Sequence, residues 1–139
     1  MTIIDANDMI VGRLCSIVAK RALLGEKIDI VNCEKAVMTG NKQQVFGKFK
    51  DRRHKGGPQS GPFILRSPDM LVKRMLRGMI PYKKQRGKLA LQRLKCHIGV
   101  PKELEGEKAE VVQEAHMSRL QTMKFVKIED ICKSMGAKL

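Results

Sequence analysis

The chain begins with two short apolar runs that flank a longer stretch of helical spacing. Thr2–Asp5 predicts a strand, and Ile28–Asn32 is mostly apolar, as expected for a strand covered on both faces. Between these runs, apolar residues recur along one face of a helix. They are Val11, Leu14, Cys15, Val18 and Ala22. The pattern predicts a strand–helix–strand unit with parallel strands and a right-handed crossover.

Two sequence signals mark the ends of this first helix. Asn7 or Asp8 is suited to the N-cap, because a short polar side chain accepts a hydrogen bond from a free backbone N–H. Gly25 follows the last apolar position and is a typical stop, because glycine adopts the left-handed conformation readily. The alternative, a hairpin of two helices, is disfavoured by the β-branched residues of Ile28–Asn32.

The next stretch predicts a turn, a helix and a long loop. Thr39–Lys42 contains glycine and asparagine, which are typical of turns, and Gln43–Arg53 predicts a helix with a basic outer face. His54–Pro62 is rich in glycine and proline and has little apolar content. Such a loop has no core of its own, so it is expected to be mobile or to be ordered by a partner.

Ser67-Pro68-Asp69 is a strong helix start, with serine at the N-cap, proline at the first helical position and an acid in the first turn. The helix is expected to run to about Ile80 with one apolar and one basic face. The methionines, including Met70, are interpreted as core packing. The apolar face comprises Val72, Met75, Leu76, Met79 and Ile80, and the other face shows Lys73, Arg74 and Arg77.

The remainder of the chain predicts short elements joined by polar connections. Pro81 ends the preceding helix, Tyr82–Lys88 is interpreted as a basic loop, Leu89–Leu94 predicts a short helix and Cys96–Val100 a strand. After Pro101 the sequence becomes acid-rich. This tail contains an expected exposed connection (Lys102–Glu114), a short strand (Phe125–Ile128) and a final helix opened by Glu129-Asp130 and stopped by Gly136.

The charge distribution is the strongest signal in the composition. The 139 residues, enough for a single domain, carry 28 Lys plus Arg and 14 Asp plus Glu, for a net charge of +14. From Lys42 to His97 there are 16 basic and 2 acidic residues (16 − 2 = +14), so the rest of the chain, with 12 of each, is neutral. Concentrated like charge repels itself, and a polyanion such as nucleic acid is the natural compensating partner.

Several protein classes are disfavoured. Met1–Asp5 includes an acid and lacks the basic start followed by an apolar run that is typical of a secretory signal. No uncharged apolar run approaches the roughly 18 residues of a membrane span. A soluble, intracellular protein without a membrane partner is expected. The cysteines are too far apart in sequence for a metal knuckle or a C-x-x-C pair, so reduced core thiols are expected, with a disulfide framework as the alternative. They are Cys15, Cys33, Cys96 and Cys132.

Candidate catalytic groups are sparse. The histidines, His54, His97 and His116, are far apart and lack a metal-binding or paired-carboxylate context. Cys96 beside His97 is not expected to form a dyad, because neighbours on a strand point to opposite faces. P-loop and dinucleotide motifs are missing, although a mononucleotide site at the first helix start is a weak alternative. We expect no catalytic residue, metal, cofactor or small-molecule substrate.

The basic segment favours phosphate recognition on structured RNA. The loop Lys55–Gly61 follows a run of cations and is expected to present backbone N–H groups to phosphate, while Gly78 and Gly87 permit close backbone approach. Aromatic residues make up only 4% and there is no Trp, so recognition by base stacking is disfavoured. An RNA-processing or RNA-modifying enzyme and a DNA-compacting protein are the alternatives.

Three groups of residues carry a resemblance to a known family. They are Ile4-Asp5-Ala6 with Val11–Ser16, Val31-Asn32 through Thr39–Lys42, and Arg77–Lys83 with Arg86-Gly87. In order and spacing, the chain resembles the L-thirteen family of large-subunit ribosomal proteins in its archaeal and eukaryotic form, over nearly its whole length. The resemblance implies an α/β fold, a three-layer α/β/α domain around a small, mainly parallel sheet, with basic loops and helices. It also implies binding to large-subunit rRNA and neighbouring ribosomal proteins, and a place on the cytoplasmic ribosome.

The sequence thus predicts a structural rRNA-binding protein with one domain over residues 1–139, a basic segment at 42–97 and an acid-rich polar tail from about 102. Eleven cations of the basic segment are the candidate phosphate contacts. They are Lys42, Lys48, Arg52, Arg53, Lys55, Arg74, Arg77, Lys83, Lys84, Arg86 and Lys88.

Overall fold

The apolar runs at the start of the chain form adjacent parallel strands. In the computed structural model, which describes residues 1–138, β1 (Thr2–Asp5) pairs with β2 (Ile28–Val31), and β4 (Leu94–Cys96) pairs in parallel on the other side of β2. All four residues of β2 are buried, as predicted for a strand covered on both faces. The α/β fold around a mainly parallel sheet is therefore confirmed.

The first helix, α1 (Val11–Leu24), buries the whole predicted apolar stripe. Gly25 ends it in the left-handed conformation, with φ of 113°, as predicted. The N-cap prediction was wrong, because Ile10 occupies that position. Asn7 and Asp8 instead form the turn after β1: the Asn7 N–H donates to the Asp5 carboxylate at 2.9 Å, and Asp8 has φ of 54°.

The sequence predicted one strand of a second, two-stranded sheet, at Phe125–Ile128, but missed the strand that pairs with it. This sheet joins β3 (Val37–Thr39) to β5 (Phe125–Lys127) in antiparallel register. The predicted turn at Thr39–Lys42 is shorter than expected, because its first residue closes β3 and its last opens α2 (Lys42–His54). The Asn41 side chain between them accepts a hydrogen bond from the Gln43 N–H at 3.3 Å, which satisfies one free donor of α2.

The third helix, α3 (Pro68–Met79), begins at the predicted signal, with Ser67 at the N-cap. The Ser67 hydroxyl hydrogen-bonds to the Asp69 carboxylate and not to a backbone N–H. The interpretation of all its methionines as core was wrong. Met70 and Met79 are 43% and 44% exposed, whereas Met75 is half-buried against the core.

The stretch expected to be a second basic loop is largely helical. α4 (Gln85–Gln92) begins three residues after Tyr82, so Arg86, Gly87 and Lys88 lie on a helix. The strand that follows spans Leu94–Cys96. The predicted strand, Cys96–Val100, shares only Cys96 with it and was therefore placed too late in the sequence. Gly87 is needed inside the protein, because an added Cβ would overlap the Pro81 carbonyl. The sequence predicted that Gly87 permits close approach of RNA, whereas in the structure Gly87 permits close packing against the backbone of Pro81.

The acid-rich tail is more ordered and more buried than expected. The Glu110 N–H donates to the Ile3 carbonyl at 2.8 Å, and the Glu110 carbonyl accepts from Asp5 N–H at 3.1 Å. These bonds extend the edge of the main sheet beside β1. The connection predicted to be exposed, Lys102–Glu114, is exposed at most of its positions, but Leu104 and Val112 within it are buried.

The two faces of the main sheet are covered by different parts of the chain. Even-numbered strand residues such as Ile4 and Ile30 join the main hydrophobic core with the helices, whereas Ile3 and Val31 on the opposite face pack with Leu104 of the tail. Alternate residues of a strand point to opposite faces, which explains this division.

The remaining elements complete the chain. The final helix, α5 (Ile128–Ser134), starts one residue earlier than predicted and packs against α2, and Gly136 follows with φ of 87°. Short 3₁₀ turns occur at Cys33–Lys35, Lys102–Leu104, Gln113–Ala115 and Met117–Arg119.

Candidate nucleic-acid interface

All eleven predicted phosphate contacts are exposed. Four lie on α2, one begins the loop after it, two lie on α3, and four lie on the turn before α4 and on its first residues. Within residues 1–138, the ion pairs are Arg21–Glu110 and Lys133–Glu129, and His97 approaches the Asp29 carboxylate, so none of these contacts involves any of the eleven. The positive charge of this surface is therefore not neutralised by carboxylates of the same chain.

The α2 cations are not all equally free. The guanidinium of Arg53 donates to the Met135 carbonyl at 2.6 Å, where it stabilises the C-terminal end of α5. Lys42 lies 5.6 Å from the Phe46 ring centroid, and Lys48 is exposed and forms no ion pair within residues 1–138. Arg53 therefore has a structural role that the sequence did not indicate.

Three of the predicted contacts surround one cavity. Arg52 on α2, Lys55 in the loop and Arg74 on α3 line a space of about 340 Å³. The Arg74 guanidinium also donates to the Phe63 carbonyl at 3.2 Å, which joins α3 to the segment after the glycine-rich loop. Cations that are far apart in the sequence are thus brought together at one opening.

Arg77 is held by an aromatic ring. Its guanidinium lies 5.2 Å from the centroid of Tyr82, a distance suited to a cation–π contact. Arg74 and Arg77 also line a neighbouring groove whose apolar wall includes Phe63, which is 69% exposed. Lys73 lines the same groove and was left out of the predicted contacts, although its place on the basic face of the helix could have identified it.

Four cations gather at the positive end of a helix. Lys83 and Lys84 lie just before α4, and Lys84 is its N-cap. Arg86 and Lys88 are the second and fourth residues of the helix. The first turn contains no acid, although the helix dipole favours negative charge there. Free backbone N–H groups at a helix start bind anions such as phosphate. This arrangement is poorly stabilised unless an anion lies nearby.

The cationic surface also reaches beyond the basic segment. Lys20 on α1 lines the same depression as Met79 of α3 and Arg86 of α4. The charge count did not indicate Lys20, because it lies in the neutral first part of the chain. Its position off the apolar stripe of α1 was the available signal.

The glycine-rich loop, which the sequence predicts to present N–H groups to phosphate, is closed by a hydrogen bond between two of its own glycines. The Gly61 N–H donates to the Gly57 carbonyl at 3.2 Å, and a Cβ on Gly56 would overlap the Gly61 carbonyl. Gly56 and Gly61 have positive φ of 86° and 75°, which glycine adopts readily. The glycines therefore close the loop on itself, while Gly78 has open space around it.

The cysteines lie in or against the core. Cys15, Cys33 and Cys132 are buried, Cys96 is half-buried, and all four are free thiols. Burial raises the pKa of Cys15 and of Cys132 to about 12, and a hydrogen bond with Cys96 together with burial raises the pKa of Cys33 well above its ordinary value. Thiols with raised pKa are poor nucleophiles at neutral pH.

The histidines have separate surroundings. His97 Nε2 lies 3.5 Å from the buried Asp29 carboxylate, while Cys96 packs against the helical core on the other side of the sheet. His54 Nδ1 lies 2.8 Å from the Lys50 carbonyl. Within residues 1–138, no group of three or more His, Cys, Asp or Glu residues is arranged to hold a metal ion. No helix in the same range is both long enough and apolar enough to cross a membrane.

Comparisons with known proteins cover most of the chain. Residues 1–103 match the family model described as "Ribosomal protein L13". The chain is 45% identical over 138 residues to the large ribosomal subunit protein uL13 of Methanococcoides burtonii, with 99% of each chain covered. It is 42% identical to the protein of the same name from Methanosarcina barkeri, again with 99% of each chain covered, and 37% identical to that of Halobacterium salinarum, with 97% and 90% covered.

Proposed function

Because the chain belongs to the ribosomal protein L13 family, we propose that it binds folded large-subunit rRNA through its exposed cations as a structural constituent of that subunit. The chain is a component of the ribosome and not an enzyme. Its partners are rRNA and other ribosomal proteins. The individual phosphate contacts are the eleven cations predicted from the sequence, to which the surface around Lys20 and Lys73 is added.

The observation that carries this proposal is the absence of ion pairs on the cationic surface. In the described part of the chain, carboxylates pair with Arg21 and Lys133, and one approaches His97, but none pairs with any of the eleven. Like charges gathered on one surface repel each other, and a folded domain retains them when an external anion supplies the countercharge. RNA phosphates supply it in a dense array.

The geometry favours recognition of RNA shape. The candidate contacts lie on three helices and two connecting segments, so they present cations at several heights and directions. Such a surface can neutralise phosphates from more than one RNA strand, which lowers the repulsion where strands approach. Contacts to phosphates position a protein on nucleic acid without reading its sequence.

The test is sedimentation of a double variant with large subunits. The changes Arg74→Gln and Arg77→Gln remove two exposed cations from α3. They also remove one exposed hydrogen bond to the Phe63 carbonyl and one contact with the Tyr82 ring, but no buried contact, so the isolated fold is expected to be retained. The variant should be depleted from large-subunit particles in sucrose gradients at moderate salt, and depleted further at high salt. Circular dichroism and thermal unfolding check the fold.

The matched control removes the same charge from outside the basic segment. Arg119→Gln with Lys124→Gln changes two exposed cations of the tail and should leave incorporation close to wild type. Equal loss in both variants would mean that net charge alone, and not this surface, directs binding. Equal affinity of the wild type for random duplex DNA and for rRNA in competition would contradict selective recognition of folded rRNA.

A further inference from the structure

The cavity between α2 and α3 combines an apolar interior with a cationic mouth. Phe49 and Leu71 form buried walls, and the half-buried Ile64 and Met75 complete the apolar lining. The exposed Arg52, Lys55 and Arg74 surround the opening, and no acidic residue lines it. Its volume of about 340 Å³ lies at the small end of the range for ligand sites, roughly 300–1,000 Å³.

We propose that this cavity receives a single nucleotide turned out of the rRNA fold, with the base against Ile64, Leu71 and Met75 and its phosphate near Arg52, Lys55 and Arg74. The inference rests on the proposed rRNA binding and deepens it. It adds a base-sized apolar site to a surface otherwise built for phosphates.

The chemistry of the lining favours a nucleotide. An apolar pocket can bind the flat, weakly polar faces of a base. The three cations at the opening can bind the phosphate attached to that base, and arginine is especially suited to phosphate. The Arg52 guanidinium, 5.9 Å from the Phe49 ring centroid, also presents a flat surface on which a base can stack. Unstacked bases that project from RNA loops and bulges are the usual targets of such sites.

The position of the cavity favours RNA over a free small molecule. Its mouth lies within the cationic surface, and Arg74 also lines the neighbouring groove with Arg77 and the exposed Phe63. An RNA strand that follows these cations passes over the opening. The low aromatic content of the sequence argued against base recognition, but the lining uses mainly aliphatic side chains, which composition does not reveal.

The test fills the cavity without removing charge. Ile64→Trp places a large side chain in the space, and rRNA affinity should fall about tenfold while the slope of log affinity against log salt is unchanged, since that slope reports phosphates only. Met123→Trp is the matched control, because Met123 is 92% exposed and lines none of the cavities described above. It should bind a large-subunit rRNA transcript like the wild type. Met75→Trp fills the cavity from α3 if Ile64→Trp fails to fold.

A second measurement needs no variant. Ultraviolet cross-linking of the wild-type protein to the same transcript, followed by mass spectrometry, should place a nucleotide adduct on a residue that lines the cavity. Adducts confined to other segments would overturn the proposal, as would wild-type affinity of the folded filled variants. Tight binding of free adenosine monophosphate, with rRNA affinity insensitive to Ile64→Trp, would show a metabolite site and also overturn it.

The outcomes separate this inference from the proposed function. If the wild-type chain does not bind the transcript in preference to duplex DNA, the proposed function itself fails. If it binds with strong salt dependence but the filled variants bind equally well, only the nucleotide site fails.

Discussion

The guanidinium of Arg21 donates two hydrogen bonds of 2.8 Å to the carboxylate of Glu110, which lies 89 residues later in the chain. Arg21 is in the last turn of α1, and Glu110 lies where the tail pairs with the edge of β1. A planar, bidentate pair of this kind has a defined geometry. It joins the acid-rich tail to the strand–helix–strand unit at the start of the chain.

The first prediction follows from this pair. The hydrogen bond from Arg21 lowers the pKa of Glu110, so the pair stabilises the fold above the ordinary carboxyl pKa and that stability is lost as the pH falls through the lowered pKa. Because Glu110 is substantially exposed, Glu110→Gln should lower the free energy of unfolding at pH 7 by about 1 kcal/mol or less. Urea unfolding at neutral and acidic pH measures it.

The matched control for this pair is Glu107→Gln. Glu107 is exposed in the same segment, and its side chain makes no ion pair within residues 1–138. Its substitution should leave stability nearly unchanged at both pH values. A Glu110→Gln defect that persists unchanged in acid would contradict the assigned role of the carboxylate.

The tail shows where sequence patterns lose their power. Lys102–Glu114 is polar on average, and its buried residues, Leu104 and Val112, stand eight positions apart with no helical or strand period between them. Leu104 is buried against Ile3 and Val31 of the main sheet, whereas Val112 joins the main hydrophobic core with the helices. Local patterns do not contain that information, so the segment was interpreted as exposed.

The elements that were predicted well are those in which one local signal was sufficient. The stripe of α1, its stop at Gly25 and the Ser67-Pro68-Asp69 start each lie within a few residues. By contrast, β3 is three residues long and exists because β5, far along the chain, pairs with it. α4 begins with polar residues and no acid, so it lacked the usual start signals.

The candidate nucleic-acid interface was also predictable only in part. The cations were identified from charge alone, since the 16 basic residues of the central segment are visible in the sequence. Their grouping was not, because the cavity between α2 and α3 is assembled from three separate parts of the chain. The internal roles of Arg53 and Gly87 likewise depend on distant or folded-back backbone.

Replacing Gly87 and Gly78 by alanine, one at a time, should change the stability of the fold in opposite directions. A Cβ at Gly87 would overlap the Pro81 carbonyl and approach Tyr82 N at 2.9 Å, so Gly87→Ala should destabilise the fold by about 1–3 kcal/mol. Gly78 lies inside α3 with open space around it, so Gly78→Ala should stabilise it by about 0.5–1 kcal/mol. Thermal unfolding of both variants gives the comparison. Similar effects of the same sign would show that the close packing at Gly87 is incorrect.

The four thiols should differ in reactivity. Cys15, Cys33 and Cys132 are buried and have raised pKa values, so a maleimide at pH 8 should modify them only as the protein unfolds. Cys96, which is half-buried, should react first. Mass spectrometry of peptides after timed labelling, in buffer and in urea, identifies the order. Rapid modification of all four in buffer would contradict their placement in the core.

The salt dependence of rRNA binding should reveal which cations contact phosphate. If 6–10 phosphates are neutralised, affinity should fall roughly 10³–10⁵-fold between 50 and 200 mM salt by the rule for duplex DNA, and less steeply for irregular RNA. Removing Lys83 and Lys84 together (Lys83→Gln, Lys84→Gln) should reduce the slope of log affinity against log salt by about 0.7–0.9 for each lost contact. Filter binding of a large-subunit rRNA transcript over a salt series measures it.

A charge-matched variant in the tail separates contact from net charge. Lys102→Gln with Lys108→Gln removes the same two charges from exposed positions of the acid-rich segment. Counterion release depends on cations that lie against phosphates, so this variant should keep the wild-type slope while the Lys83/Lys84 variant loses part of it. An equal reduction in both would place the attraction in the total charge of the molecule. The uncompensated cluster at the start of α4 would then have no special part in binding.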